Sequence, residues 1–355
     1  MKKLILIGVG SGLAVAFAGA AEAASIDCAK AATPMEAKIC AVAAVSKADD
    51  NLAAAFKAAL GQVSPVGQAA LRASERSFLQ YAAELCRPGQ MPLDSERWKR
   101  FGDAPPDLSA YCLEDTFKTR TQTLKEAVMR LGGHTFLSTV TYRVHAYKVA
   151  GETLPSAAAQ QILTLTQIDA PTDADLRWNV EARNRFDGAF SSAVGPNDGQ
   201  VPPDTSDADI SLRVTAAAPG LIVSEVSAAT YSDGMAHSEQ SNETFTWLLG
   251  AGKDLKLADL FDPSKPWATA LATVAQSHLK SLTSPPETQF DTIKTIDGMG
   301  SWRLMPEGLR IDYDPYVLGG YLSAATTTLS WAELKPWLRK DLPFDPAQIE
   351  VAPHT

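Results

Sequence analysis

Apolar residues in the first third of the chain return every three or four positions within Ala-rich segments, the spacing of amphipathic helices. "TPMEAKICAVA" opens the first: Thr33 caps, Pro34 takes the first helical position, and Glu36 completes a capping box. A second is predicted over residues 46–60, with Asp49 and Asp50 in its first turn and Gly61 as its stop. A third starts at Ser64-Pro65 and runs to Cys86, placing Leu71, Phe78, Leu79 and Leu85 near one face. Residues 87–110, rich in Pro, Gly and Asp, predict a long loop, and a last helix is expected over residues 111–131, ended by Gly132-Gly133.

Past residue 134 the period changes. Residues 135–149 and 161–168 alternate and are rich in β-branched and aromatic side chains, which predicts strands. Residues 173–190 return to helical spacing through Trp178, Ala182 and Phe186, and a polar loop follows over 194–209. Two strands are expected in 210–232 around the turn Ala218-Pro219-Gly220, another over 241–249, and a helix over 266–282. Two or three strands and a short helix complete the pattern. The expected architecture is an all-α, disulfide-stapled helical domain over residues 24–133 and an α+β domain over residues 134–345. In the second, an antiparallel sheet is packed by two helices, because strands and helices mix without regular βαβ spacing.

Residues 1–23 read as an export signal. Lys2 and Lys3 precede an apolar run to about Ala20, and Ala21-Glu22-Ala23 fits a small-x-small cleavage site. The run is short and Gly-rich with no stop-transfer pattern, so no membrane span is expected after the signal is removed. This places the chain in the periplasm or outside the cell. There the even count of four cysteines suggests two disulfides; of three pairings, spacing favours Cys28 with Cys40 and Cys86 with Cys112. Each would stabilise by roughly 2–4 kcal/mol. No C-x-x-C pair supports zinc.

Charge is uneven. Residues 24–130 hold 14 basic and 13 acidic side chains, and residues 131–355 hold 16 and 27. The negative field repels nucleic acid and anionic lipid and favours a basic partner.

The densest grouping of chemically able residues is "YSDGMAHSEQSNETFTW", residues 231–247. As a metal site, Asp233 and His237 supply two ligands where zinc needs three or four. As a nucleophile system, Ser232 or Ser238 beside His237 and Asp233 lacks an independent orienting group and an oxyanion hole. Asp233-Gly234 is a strong turn signal, so the segment reads as a strand connection whose tip is either a recognition loop or packs on its own domain. No metal, cofactor or catalytic residue is expected, and the chain is read as a binding protein, not an enzyme.

Two family resemblances bear on the partner. "DCAKAATPMEAKICA", "LRASERSFLQYAAELC" and "YCLEDTFKTRTQTL" resemble the LprI-type lysozyme-inhibitor N-terminal domain, through a Cys-x11-Cys opening with Thr-Pro-x-Glu inside it and a later Cys-Leu-x5-Thr-Arg. The chain departs from that pattern at Phe78, where an indole is common, and in the length of the loop after Cys86. "VSAATYSDGMAHSEQSNETFTWLLGAGKDLKLADLF" and "GLRIDYDPYVLGGY…TTTLSWAELKPWL" are similar to the RsiV-type C-terminal domain, in which one member senses lysozyme by binding it. The resemblances imply lysozyme, or another basic envelope-directed protein, as partner. As a recognition loop for such a partner, Ser232, Asp233, Gly234, His237 and Ser238 supply the contact residues, with Tyr313, Pro315 and Tyr316 as aromatic and proline anchors beside them; a core position is the alternative for Tyr313, because a strand alternates faces. The competing readings are a peptidoglycan-binding module and, less favoured, an envelope-polymer hydrolase.

Overall fold

A computed structural model describes residues 26–87, 107–147, 157–194, 206–232, 237–282, 301–313 and 325–353. The segment expected to be an export signal, most of the expected 87–110 loop, residues 195–205, Asp233, Gly234, Pro315 and Tyr316 lie outside the described residues.

Helix α1 (Pro34–Ala41) begins as its sequence dictates. Thr33 Oγ1 accepts from the Glu36 N–H at 3.2 Å, and Glu36 accepts in return from the Thr33 N–H at 2.8 Å. Helix α2 (Ala43–Leu60) starts three residues earlier than expected, straight after an extended Val42 that offers no side-chain cap. Ala43 and Ala44 carry the helix backward at little cost. Asp49 and Asp50 therefore fall beyond the first turn, and Asp49 is buried. Helix α3 (Pro65–Leu85) is capped by Ser64, and α4 (Leu108–Lys125) by Asp107, which also pairs with Lys38 at 2.6 Å. Leu52, Phe56, Leu71, Phe78, Leu113, Phe117 and Leu124 fill the space between the helices. Disulfides join Cys28 to Cys40 and Cys86 to Cys112, the second tying the end of α3 to the start of α4.

The last helix stops at Lys125 instead of reaching residue 131. Strand β1 (Val128–Leu131) follows, and Gly132-Gly133 turns it into β2 (His134–Tyr147). Both glycines have positive φ, 57° and 82°, the geometry of a two-residue hairpin turn. A Cβ at Gly132 would sit 2.8 Å from Ala217, so the close approach of this turn to the sheet also requires glycine. The pair is a turn, not a helix stop.

The main sheet has the order β1-β2-β3-β4-β5-β6-β7, with β3 (Ala157–Ile168), β4 (Ser206–Ala218), β5 (Leu221–Ser232), β6 (Glu239–Leu248) and β7 (Lys253–Asp254); β11 (Glu350–Val351) pairs with β4. The antiparallel expectation holds for every neighbour pair except one. β3 and β4 run parallel, Gln161–Leu165 against Ala208–Leu212, with α5 (Asp173–Val194) as the connection between them. Trp178, Ala182 and Phe186 of α5 pack on Leu163, Leu165, Ile210, Leu212, Ile222 and Phe245. A second core joins Ala216, Leu221, Val223 and Leu248 to α6 (Trp267–Leu282) and to a small sheet of β8 (Ser301–Met305), β9 (Gly308–Tyr313) and β10 (Ala325–Ser330). Helix α7 (Trp331–Leu334) follows, started by a Ser330/Glu333 capping box.

The helical region closes the open edge of the sheet. β1 pairs only with the first residues of β2, so the outward backbone groups of Val140 and Tyr142 have no strand partner. Helix α3 lies there instead. Ser74 Oγ donates to the Val140 carbonyl at 2.6 Å and accepts from the Val140 N–H at 3.2 Å; Ser77 Oγ accepts from the Tyr142 N–H at 3.3 Å. Edge groups that would template another strand are thus covered by serine hydroxyls.

Candidate functional site

Of the residues that sequence reasoning grouped, Ser232, His237 and Ser238 lie at the adjoining ends of β5 and β6. β5 and β6 pair as far as Thr230↔Glu239, and Ser232 still pairs with Ser206 of β4, so Ser232 and His237 flank the end of a long ribbon. His237 there is exposed, its Nδ1 3.1 Å from the Ser238 carbonyl, and Ser238 Oγ accepts from Gln240 Nε2 at 3.3 Å. Tyr313 is elsewhere in character. It is 3% exposed, inside the core of the small sheet, and its hydroxyl has no hydrogen-bond partner among the described residues. Alternation along β9 places Leu309, Ile311 and Tyr313 inward and Arg310 and Asp312 outward. Burial raises the Tyr313 hydroxyl above its ordinary range. A side chain so enclosed is not a surface anchor. Among the described residues no group of three His, Cys, Asp or Glu side chains could hold a metal ion, and no helix is long and apolar enough to cross a membrane.

Two features emerge that the sequence reading did not single out. The first is a buried charge cluster built from motif residues. Arg120, 2% exposed, donates through Nε and Nη2 to Glu75 Oε2 at 3.1 and 3.0 Å, and through Nη2 to Ser74 Oγ at 2.9 Å. Its guanidinium lies 5.5 Å from the Phe78 ring and 5.4 Å from that of Tyr142. Ser74 Oγ thus gives its one proton to Val140 and accepts two, using its full capacity. Burial pushes the Glu75 carboxyl up while Arg120 opposes that rise, and Glu75 Oε1 has no partner among the described residues. Asp49 is pushed up to about 6, mainly by burial and then by the neighbouring Asp50 and Glu75. The available signal was a charged residue on an apolar stripe: Leu113, Phe117, Arg120 and Leu124 share one face of α4.

The second is a groove of about 410 Å³ where the helical region meets the sheet. Val66, Gly67 and Ala70 of α3 form one wall, Leu176, Val180 and Arg183 of α5 the other, and Leu137 lies between them. Ser64 fixes the junction by donating its N–H and hydroxyl to the two carboxylate oxygens of Asp169, each at 2.6 Å. Gly67 permits that approach, since a Cβ there would meet Asp169 Oδ1 at 2.5 Å. Ala170, beside it, has a left-handed backbone with φ of 50°.

Residues 28–124 match the family described as lysozyme inhibitor LprI. Ser74, Glu75 and Arg120, and the α3 wall of the groove, all belong to that matched segment. No curated protein matches the chain. Two solved structures are similar: a member of the DUF3298 family from Bacteroides fragilis and a DUF3298 family protein from Pseudomonas aeruginosa. The first is 14% identical, covers 61% of this chain and 97% of that one, and has a TM-score of 0.43. The second is 12% identical, covers 59% of this chain and 96% of that one, and has a TM-score of 0.42.

Proposed function

We propose that this chain is an exported, non-catalytic protein of the bacterial cell envelope that binds lysozyme and blocks it. The observation that carries the reading is the match of residues 28–124 to the lysozyme-inhibitor family. The RsiV-type resemblance of residues 135–342 supports the same partner from the other half of the chain. So does charge, because an acidic surface speeds encounter with a basic protein. Lysozyme cuts glycan with two carboxylates in a cleft, and a blocking protein needs donors to meet them. Ser232, His237 and Ser238, with Asp233 and Gly234 between them in the sequence, are the sequence-derived candidates at the ribbon end.

The test is calorimetric titration of the mature protein against c-type and g-type lysozymes, with residues 233–238 replaced by a Gly/Ser linker in a second sample. Saturable binding to either class supports the reading, and absence of binding at about 100 μM, weaker than any functional inhibitor needs, rejects it. A linker variant that binds as tightly as the parent rejects only the ribbon-end assignment. A peptidoglycan-binding module is the second reading. Trp267, Trp302, Trp331 and Trp337 favour it, as half-buried indoles packed against the C-terminal core. Co-sedimentation with purified cell-wall sacculi decides it.

A further inference from the structure

The groove between α3 and α5 has the makings of an interface. Five large apolar side chains stand exposed among the described residues, and three of them, Val66, Leu176 and Val180, line this one groove at 75, 47 and 59% exposure. Solvent-facing aliphatic residues gathered in one concavity with a polar rim, here Gln167, Asn179 and Asn184, mark association surfaces more often than scattered single exposures do. The walls are held in place by the Ser64–Asp169 contact and by α5, whose Asn179 both donates to and accepts from the Ile168 backbone at 3.0 and 2.8 Å. A partner side chain therefore enters a preformed slot and loses little to ordering of the slot itself.

The charges around the slot select the partner's sign. Arg183 is the one cation on the lining, and it faces Asp187 on its own helix at 3.9 Å. Asp169, the one acid on the lining, is held by neutral donors from Ser64, Arg183 is offset by Asp187, and the chain after residue 131 carries 27 acidic against 16 basic side chains. One wall is α3, within the segment that matches the lysozyme inhibitors.

We propose that this groove is a docking surface for a basic protein that inserts an apolar side chain between Val66 and Val180, and that lysozyme is that protein. The proposal rests on the lysozyme-binding reading above and adds a location for it. The location is distinct from the ribbon end. Ser206 pairs with Ser232 at one end of β4, while the β3 residues that run on toward the groove extend past Leu165↔Leu212 toward the other. Both halves of the chain are needed, because neither wall alone forms a slot.

Substitutions at exposed positions test this without removing core contacts. Val180→Asp, Val180→Lys and Leu176→Asp are titrated against c-type lysozyme beside the unaltered protein and Tyr111→Ser, an exposed change away from the groove. Thermal melts confirm that each variant is folded. The expected result is binding at least about tenfold weaker for all three groove variants, of either sign, and within about threefold of the parent for Tyr111→Ser, as for an anchor position against a rim position. If Val180→Asp binds as tightly as the parent or tighter while Val180→Lys weakens, attraction is electrostatic only and the slot is not the contact. If all variants bind like the parent, the groove is overturned and the lysozyme reading stands. If the parent itself fails to bind, both fall.

Discussion

Replacing Arg120 with Met should unfold the junction between helices and sheet more than any surface change. The substitution keeps the aliphatic stem but removes the guanidinium. It deletes the donors to Glu75 and Ser74 and leaves the Glu75 carboxylate buried without its cation. Loss of one partner from a buried pair costs about 3–5 kcal/mol, most of it the stranded charge and not the lost attraction. At about 2–4 °C per kcal/mol that lowers Tm by roughly 6–20 °C. Removing both charges, as Glu75→Leu with Arg120→Met, should recover most of the loss, to within about 1–2 kcal/mol of the parent, because two desolvated groups leave together. Guanidinium titrations followed by circular dichroism give the cycle. Hydrogen exchange reads the location: the Val140 and Tyr142 amides, held by Ser74 and Ser77, should exchange faster in Arg120→Met. A single variant that loses less than about 1 kcal/mol, or a double variant worse than the single, would show that the pair does not organise the edge.

Other expectations follow from the same contacts. Asp49 has a folded-state value near 6 against an ordinary 3.8, so its ionisation opposes folding: stability contributed below about pH 4 is lost as pH rises through 6. Asp49→Asn should abolish that slope and stabilise at pH 7 by about 1–2 kcal/mol, with no gain at pH 4; chemical melts at the two pH values check it. Gly132→Val, forced into a left-handed backbone against Ala217, should destabilise by about 2–4 kcal/mol, and a thermal melt no lower than the parent's would contradict the hairpin geometry. Cys86→Ser with Cys112→Ser should cost about 2–4 kcal/mol, read as a lower guanidinium midpoint than that of the parent under non-reducing conditions.

Local signals carried much of this fold. Capping chemistry at Thr33, Glu36 and Ser64 set helix starts to the residue, and cysteine spacing agreed with both observed disulfides. What misled was local ambiguity settled by tertiary pairing. Residues 128–131 continue a helical apolar period, yet they pair with β2 because Gly132-Gly133 permits the turn and Ala217 requires it to be small. The parallel join of β3 to β4 was hidden because a single crossover leaves no repeating βαβ signature. An aromatic in a strand looks alike on either face, so the sequence leaves Tyr313 open between anchor and core; the register against β10 and the core behind it decide for the core. The groove escaped altogether. Val66 and Val180 are more than a hundred residues apart, and nothing local marks an exposed valine on one helix as the neighbour of another.

The most direct measurement of the central claim is hydrolysis of cell-wall glycan by c-type lysozyme with increasing amounts of the mature protein, alongside a calorimetric isotherm of the same pair. The account predicts saturable one-to-one binding and a matching loss of hydrolysis, with Val180→Asp weakening both by about tenfold or more. Full lysozyme activity and no binding heat at about 100 μM protein would contradict it.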